Sequence, residues 1–130
     1  MEQDITGGEK RSCARIKCRF SAEFQLLSRP DEWFEADVKD LSVIGVRLSI
    51  NSSQGTRILQ KDDIEWQDAR FRFSNESEEF VLDGHFLMIY QRDGDIMTTG
   101  VEFMDVTQEQ QFKLVQLYAQ YRKETGQPQA

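Results

Sequence analysis

The feature that most constrains the fold is the strict alternation of side-chain polarity in the segment that begins at Ile16. The positions of one parity are apolar or small, namely Ile16, Cys18, Phe20, Ala22, Phe24 and Leu26. The intervening positions are polar, namely Lys17, Arg19, Ser21, Glu23 and Gln25. A period of two is typical of a β-strand with one buried face and one face in water. The segment therefore predicts a long strand whose apolar face must be covered by the rest of a sheet.

Shorter segments along the chain repeat this signal, and turn sequences separate them. We expect further strands at residues 33–38, 46–50, 63–66, 70–73, 79–90 and 97–104. Polar turns or loops are expected at 28–32, 51–55 and 75–79, and the Asp-Gly pair within 92–95 favours a tight hairpin. About six short strands at close spacing predict an antiparallel barrel or sandwich.

The C-terminal segment has a different pattern and predicts a helix over about residues 108–124. Thr107 and Gln110 have the spacing of a capping box, and the segment contains no Gly or Pro before Gly126. Its apolar arc is wider than packing against one surface requires. Two interpretations stay open: the excess contacts a partner, such as a second copy in a homodimer, or the helix lies deep against the barrel.

Length and charge indicate one domain with a local cluster of basic residues. The chain has 130 residues, which fit one domain at 10–124 with flexible tails at 1–9 and 125–130. It lacks a membrane span and a signal peptide, so we expect a cytoplasmic protein. Residues 10–19 carry +5, which leaves −12 for the remainder of a chain with net charge −7. This basic segment predicts either an anion site or a solvated edge that discourages strand pairing, and the acidic remainder argues against DNA or RNA binding.

Catalytic and metal-binding signatures are missing from the sequence. Cys13 and Cys18 are expected to be reduced thiols, and together with the single histidine, His85, they are too few for a zinc site. His85 lies in an apolar segment, which favours a structural role. There is no phosphate-binding glycine loop and no nucleophile elbow. We therefore expect a protein that is not an enzyme and that holds no metal or cofactor.

Two short motifs remain, and either alone has an ordinary structural interpretation. Arg11 and Arg15 form an R-x-x-x-R, and Asp40, Ser42 and Gly45 form a D-x-S-x-x-G at the start of a strand. The aspartate and the serine can cap a turn, and the glycine can mark a bulge. The joint occurrence of both motifs in this order favours ligand binding.

Together the two motifs resemble the signature of the PilZ domain, the bacterial receptor for cyclic di-GMP. The "TTGVEF" at 98–103 also resembles the end of the last strand in that family. The resemblance covers nearly the whole chain and implies a six-stranded antiparallel β-barrel closed by a C-terminal helix. It implies a receptor that changes conformation on binding cyclic di-GMP and regulates an unidentified protein target, in processes such as motility, biofilm formation or exopolysaccharide synthesis. The alternative is a PilZ-like adaptor that works through protein contacts without nucleotide.

The chemistry of the motifs suits cyclic di-GMP. The guanidinium groups of Arg11 and Arg15 can fork onto guanine or phosphate. The carboxylate of Asp40 can accept hydrogen bonds from guanine N1–H and N2–H. The hydroxyl of Ser42 can donate to a phosphate or bond the neighbouring backbone, and Gly45 permits close approach and a positive φ.

Two further residues are included in the predicted binding site. Lys10 stands where relatives often have an arginine that helps to set whether one ligand or a stacked pair is held. Tyr90 falls where some relatives place an aromatic ring beside the ligand. Tyr90 therefore either stacks on guanine or is a barrel residue whose hydroxyl lies in water.

Overall fold

The computed structural model describes residues 16–74 and 79–125 and shows a closed six-stranded antiparallel barrel with a C-terminal helix. The barrel order is β1-β2-β3-β8-β7-β6, so that β1 and β6 close it. This confirms the fold predicted from the sequence. The elements are β1 (Ile16–Leu26), β2 (Phe34–Leu41), β3 (Gly45–Asn51), β4 (Ser53–Gln54), β5 (Arg57–Ile58), α1 (Lys61–Ile64), β6 (Asp68–Ser74), β7 (Glu79–Asp93), β8 (Ile96–Met104) and α2 (Gln108–Thr125).

The barrel interior combines aliphatic side chains with a cluster of phenylalanines. Five phenylalanines are completely buried, namely Phe24, Phe34, Phe71, Phe73 and Phe86. The ring of Phe24 meets that of Phe86 edge to face, with the ring centres 5.2 Å apart. Along β1 the buried residues are Ala22, Phe24 and Leu26, while Ser21, Glu23 and Gln25 face outward. The alternation in the sequence therefore identified the inner face of this strand correctly.

The predicted turns at 28–32 and 92–95 are confirmed. Arg29 N–H donates to the carbonyl of Leu26 at 3.0 Å, and Glu32 N–H donates to the carbonyl of Arg29 at 3.2 Å. Gly94 has a φ of 59°, a left-handed conformation that glycine adopts without strain, and it connects β7 to β8. The predicted turn at 75–79 lies outside the described residues except for Glu79, which begins β7, and the first predicted tail also lies outside them.

The strand predicted at 63–66 is wrong, because this segment contains the end of the short helix α1 and a turn. The carboxylate of Asp63 accepts a hydrogen bond from Gln60 N–H at 2.7 Å, which satisfies a backbone donor at the start of the helix. Ile64 is buried in the barrel core. The loop predicted at 51–55 also contains part of a two-stranded hairpin, in which β4 pairs with β5.

The helix α2 begins at the predicted capping box. Gln110 N–H donates to the Thr107 hydroxyl at 3.1 Å, and Thr107 N–H donates to the Gln110 side chain at 2.9 Å. Leu114 and Leu117 are fully buried, while Phe112 is 63% exposed. The helix thus packs on the barrel and still presents apolar surface, and a homodimer through it stays a prediction. Among the described residues, no helix is both long and apolar enough to cross a membrane.

Candidate functional site

The first described strand, β1, begins beside the end of β2. Ile16 pairs with Leu41, and Lys17 pairs with Asp40, across the β1–β2 ladder. Lys10, Arg11 and Arg15 lie outside the described residues. Because Lys17 pairs with Asp40, β1 begins beside the strand end that carries the D-x-S-x-x-G motif. Proximity of the two motifs stays a prediction.

Ser42 holds the tight connection between β2 and β3. Its hydroxyl oxygen accepts hydrogen bonds from the backbone N–H groups of Ile44 and Gly45, each at 3.2 Å. Its own N–H donates to the carbonyl of Gly45 at 2.9 Å. The side chain of Ser42 is completely buried. In this structure the hydroxyl acts as the turn cap that the sequence allowed as one interpretation.

Gly45 is required by the packing of β3 against β8. A Cβ atom at this position would lie 2.2 Å from the carbonyl oxygen of Val101, far inside van der Waals contact. Its φ is not in the left-handed region, which among the described glycines is occupied by Gly55 and Gly94. The close approach that the sequence suggested is thus an approach to a neighbouring strand. A role toward ligand stays a prediction.

Asp40 is buried and forms an ion pair with Arg47. The two residues lie opposite each other on β2 and β3. The carboxylate side chain is 3% exposed, whereas the Arg47 side chain is 42% exposed. Burial alone would lower the pKa of Arg47, but attraction to Asp40 and a hydrogen bond to Tyr90 outweigh it and raise that pKa. Arg47 therefore remains a cation and links the buried carboxylate to the outer surface.

Tyr90 belongs to the same cluster. It is 48% exposed on β7, and its interaction with the Arg47 guanidinium contributes to the raised pKa of Arg47. Beside it a cleft of about 450 Å³ is lined by Arg47, Trp66, Leu87, Met88, Tyr90 and Gly100. The structure thus brings together Asp40, Ser42, Gly45 and Tyr90, which the sequence predicted, with Arg47 as the connecting residue.

Arg47 and Trp66 were not among the site residues predicted from the sequence. Arg47 is the one charged residue of β3, and this charge was the available signal. Trp66 gave no usable signal, because its segment was predicted as a strand. Within the described residues, no group of three or more His, Cys, Asp or Glu side chains could hold a metal ion.

A second cleft, of about 580 Å³, lies on another part of the barrel. It is formed by β2, β3 and the β4–β5 hairpin and is lined by polar residues that include Glu35, Asp37 and Arg57. No described residue that lines this cleft also lines the cleft beside Arg47. The second cleft therefore serves as an internal control in binding experiments.

Comparisons with known proteins agree on the fold. No protein-family model matches the sequence, and no curated protein matches it. The PilZ domain of YcgR from Escherichia coli, solved with c-di-GMP, has a TM-score of 0.67 and 18% identity, over 89% of this chain and 94% of that chain.

Two other solved structures are similar. The PilZ domain of CeSA from a cellulose-synthesizing bacterium has a TM-score of 0.56 and 14% identity, over 82% of this chain and 96% of that chain. The Bacillus subtilis inhibitor of motility, MotI, has a TM-score of 0.64 and 12% identity, over 92% of this chain and 53% of that chain. The chain thus spans about half the length of MotI. Since the barrel, the closing helix and these neighbours agree, the chain has the fold of a PilZ domain.

Proposed function

We propose that the chain is a receptor for cyclic di-GMP that changes conformation on binding and regulates a protein target. The observation that carries this proposal is the pairing of Ile16 with Leu41 and of Lys17 with Asp40. In this register β1 begins at the edge formed by the D-x-S-x-x-G motif, and the segment that contains Arg11 and Arg15 directly precedes β1 in the sequence. A dianionic dinucleotide placed at this edge would lie between cations and a guanine-binding carboxylate.

Each residue has a defined part in the proposed complex. Arg11 and Arg15 fork onto phosphate and guanine, as a planar guanidinium does and an ammonium does not. Asp40 accepts from guanine N1–H and N2–H, since a carboxylate has about four acceptor sites and can bond Arg47 as well. Lys10 adds charge and influences whether one or two ligands are held.

The proposed conformational change involves the segment that carries Arg11 and Arg15. Binding draws the segment that carries Arg11 and Arg15 over the ligand and onto the edge of the barrel. Charge-assisted hydrogen bonds to phosphate and guanine offset the entropy that this ordering costs. The reshaped edge, with the adjoining surface of α2, then engages or releases the target. The neighbour solved with c-di-GMP supports the proposed ligand, and the neighbour described as an inhibitor of motility supports the proposed regulatory role.

A nucleotide-independent adaptor is the second candidate, and one observation favours it. The carboxylate of Asp40 is buried against Arg47, and the hydroxyl of Ser42 is engaged within its own turn. Both residues thus have structural roles that do not require a ligand. In that case the barrel would present its surface to a protein partner in a single conformation.

Calorimetric titration with cyclic di-GMP separates the two candidates. The wild-type chain is expected to bind with micromolar or tighter affinity, and Arg15→Ala and Asp40→Asn should each weaken binding at least about tenfold. Arg70→Ala is the charge-matched control, because Arg70 is exposed on β6 and pairs there with Asp83. No heat and no shift in melting temperature with the wild-type chain would refute the receptor and favour the adaptor. The measured stoichiometry shows whether one or two ligands bind, which is the property that Lys10 is proposed to influence.

A further inference from the structure

Three large, exposed side chains meet beside Arg47. Trp66 is 57% exposed, Met88 is 54% exposed and Tyr90 is 48% exposed, and all three line the 450 Å³ cleft. We call this group the aromatic shelf. Exposed apolar residues on one concave surface usually mark a place where something binds.

The backbone at Trp66 is in an uncommon conformation. Its φ is 64°, which is a genuine outlier for a bulky side chain. The flanking hydrogen bonds hold it there: Gln67 N–H donates to the carbonyl of Ile64 at 3.1 Å, and Phe86 N–H donates to the carbonyl of Gln67 at 2.9 Å. Strained residues concentrate at binding sites, where surrounding contacts over-determine them. The position of the indole is therefore built into the fold.

A distortion of β7 presents the other two side chains. The pairing of β7 with β8 is irregular between Phe86 and Ile89 and again between Ile89 and Gln91. The hydroxyl oxygen of buried Thr99 lies 3.1 Å from the carbonyl oxygens of both Leu87 and Met88, so its single hydrogen can be donated to either one. Bulges of this kind redirect side chains beside functional sites, and here the distorted segment carries Met88 and Tyr90.

The carboxylate of Glu65 supports the same distortion from the other side. It accepts a hydrogen bond from Ile89 N–H at 2.8 Å, although its side chain is only 13% exposed. The turn that carries Trp66 is thus bonded to the strand that carries Met88 and Tyr90. The backbone segments that carry the three members of the shelf are therefore held together.

Gly100 leaves the floor of the cleft open. It lies directly opposite Arg47 on β8, on the outer face of the barrel. A Cβ atom there would meet only the flexible end of Leu87, at 3.4 Å. Packing therefore does not require glycine at this position, in contrast to Gly45. A larger side chain would extend into the cleft.

We propose that the aromatic shelf binds one guanine base of the cyclic dinucleotide, with Trp66 as the stacking residue and Arg47 as its hydrogen-bonding partner. This inference rests on the proposed function and assigns residues of the same site. A nucleotide base is favoured over a peptide because the shelf is continuous with the Asp40 edge through Arg47, which lies against both. The guanidinium of Arg47 can fork onto guanine O6 and N7 or bind the phosphate. Aromatic stacking supplies affinity through the face of the base.

Tryptophan fluorescence tests the inference directly. The sequence contains two tryptophans, Trp33 and Trp66, so a Trp33→Phe chain reports from Trp66 alone. Cyclic di-GMP should quench this signal to saturation with the dissociation constant measured by calorimetry. Trp66→Ala and Gly100→Val should each weaken binding about tenfold or more, with Trp66→Phe in between. Ile58→Ala, at a side chain with 51% exposure on β5, should bind like the wild type.

The outcomes separate the two proposals. If the wild type binds while Trp66 fluorescence and the affinities of Trp66→Ala and Gly100→Val stay unchanged, the shelf is refuted and the receptor stands. If the wild type does not bind, both proposals are refuted. Melting temperatures of all variants identify any that fail to fold. The fluorescence titration of the Trp33→Phe chain tests whether the ligand contacts Trp66 without any substitution at the shelf.

Discussion

Substitution of Gly45 by alanine is expected to destabilise the barrel rather than only the ligand site. The added methyl would lie 2.2 Å from the carbonyl oxygen of Val101, where ordinary contact begins at 3.4 Å. The obstacle is backbone at the end of the β3–β8 ladder, beside the β2–β3 turn, so a side-chain rotation cannot relieve it. One of the strands must move by about 1 Å.

The magnitude follows from two contributions. Overpacking typically costs about 1–3 kcal/mol. The shift also strains the hydrogen bonds around the turn, among them Phe103 N–H to the carbonyl of Ile44 at 3.0 Å, and each lost bond costs ~1 kcal/mol. We expect Gly45→Ala to lower the free energy of unfolding by about 3 kcal/mol, and for a domain of this size the melting temperature by roughly 10 °C.

Urea denaturation monitored by circular dichroism measures this change, and Gly100→Ala is the matched control. Gly100 also lies on a strand of the same ladder, and its Cβ would meet only Leu87 at 3.4 Å. The control should alter the free energy of unfolding by less than ~1 kcal/mol. If Gly45→Ala is no less stable than Gly100→Ala and loses only cyclic di-GMP affinity, the glycine serves the ligand and the packing argument is wrong.

Two other substitutions test the contacts that shape the site. Ser42→Ala removes the acceptor for two backbone N–H groups of the turn. It should lower the free energy of unfolding, measured by urea denaturation, by about 1–3 kcal/mol. An unchanged urea midpoint would show that the hydroxyl does not stabilise the turn. Thr99→Val keeps the side-chain shape but loses the hydrogen bond from the hydroxyl to β7 and should cost about 1 kcal/mol. Hydrogen exchange should also become faster in residues 87–90, and equal exchange rates would contradict the role given to Thr99.

Much of the fold could be predicted from local pattern. The alternation from Ile16 to Leu26 identified the long strand and its inner face, and Thr107 with Gln110 identified the start of α2. The prediction failed at Asp63 because a short apolar and acidic segment fits either a strand or a single helical turn. There the carboxylate bond to Gln60 decides for the helix. Secondary structure that is decided by one hydrogen bond is difficult to predict from the sequence.

The candidate site was predictable only in part. The motifs identified Asp40, Ser42 and Gly45, and Tyr90 was identified through the family resemblance. The packing reason for Gly45 depends on Val101, a residue of a distant strand that local pattern cannot connect to it. The exposed position of Trp66 depends on its positive φ, which tertiary contacts hold in place and which local sequence does not indicate.

Chemical-shift mapping of the backbone amides with cyclic di-GMP tests the central claim most directly. The receptor account predicts saturable shifts in the turn and strand from Asp40 to Arg47 and in β7 from Leu87 to Tyr90. The amides of the hairpin at 53–58, which lines the other cleft, should stay within the scatter of the unperturbed residues. The absence of shifts at saturating dinucleotide, or shifts concentrated at this hairpin, would contradict the account.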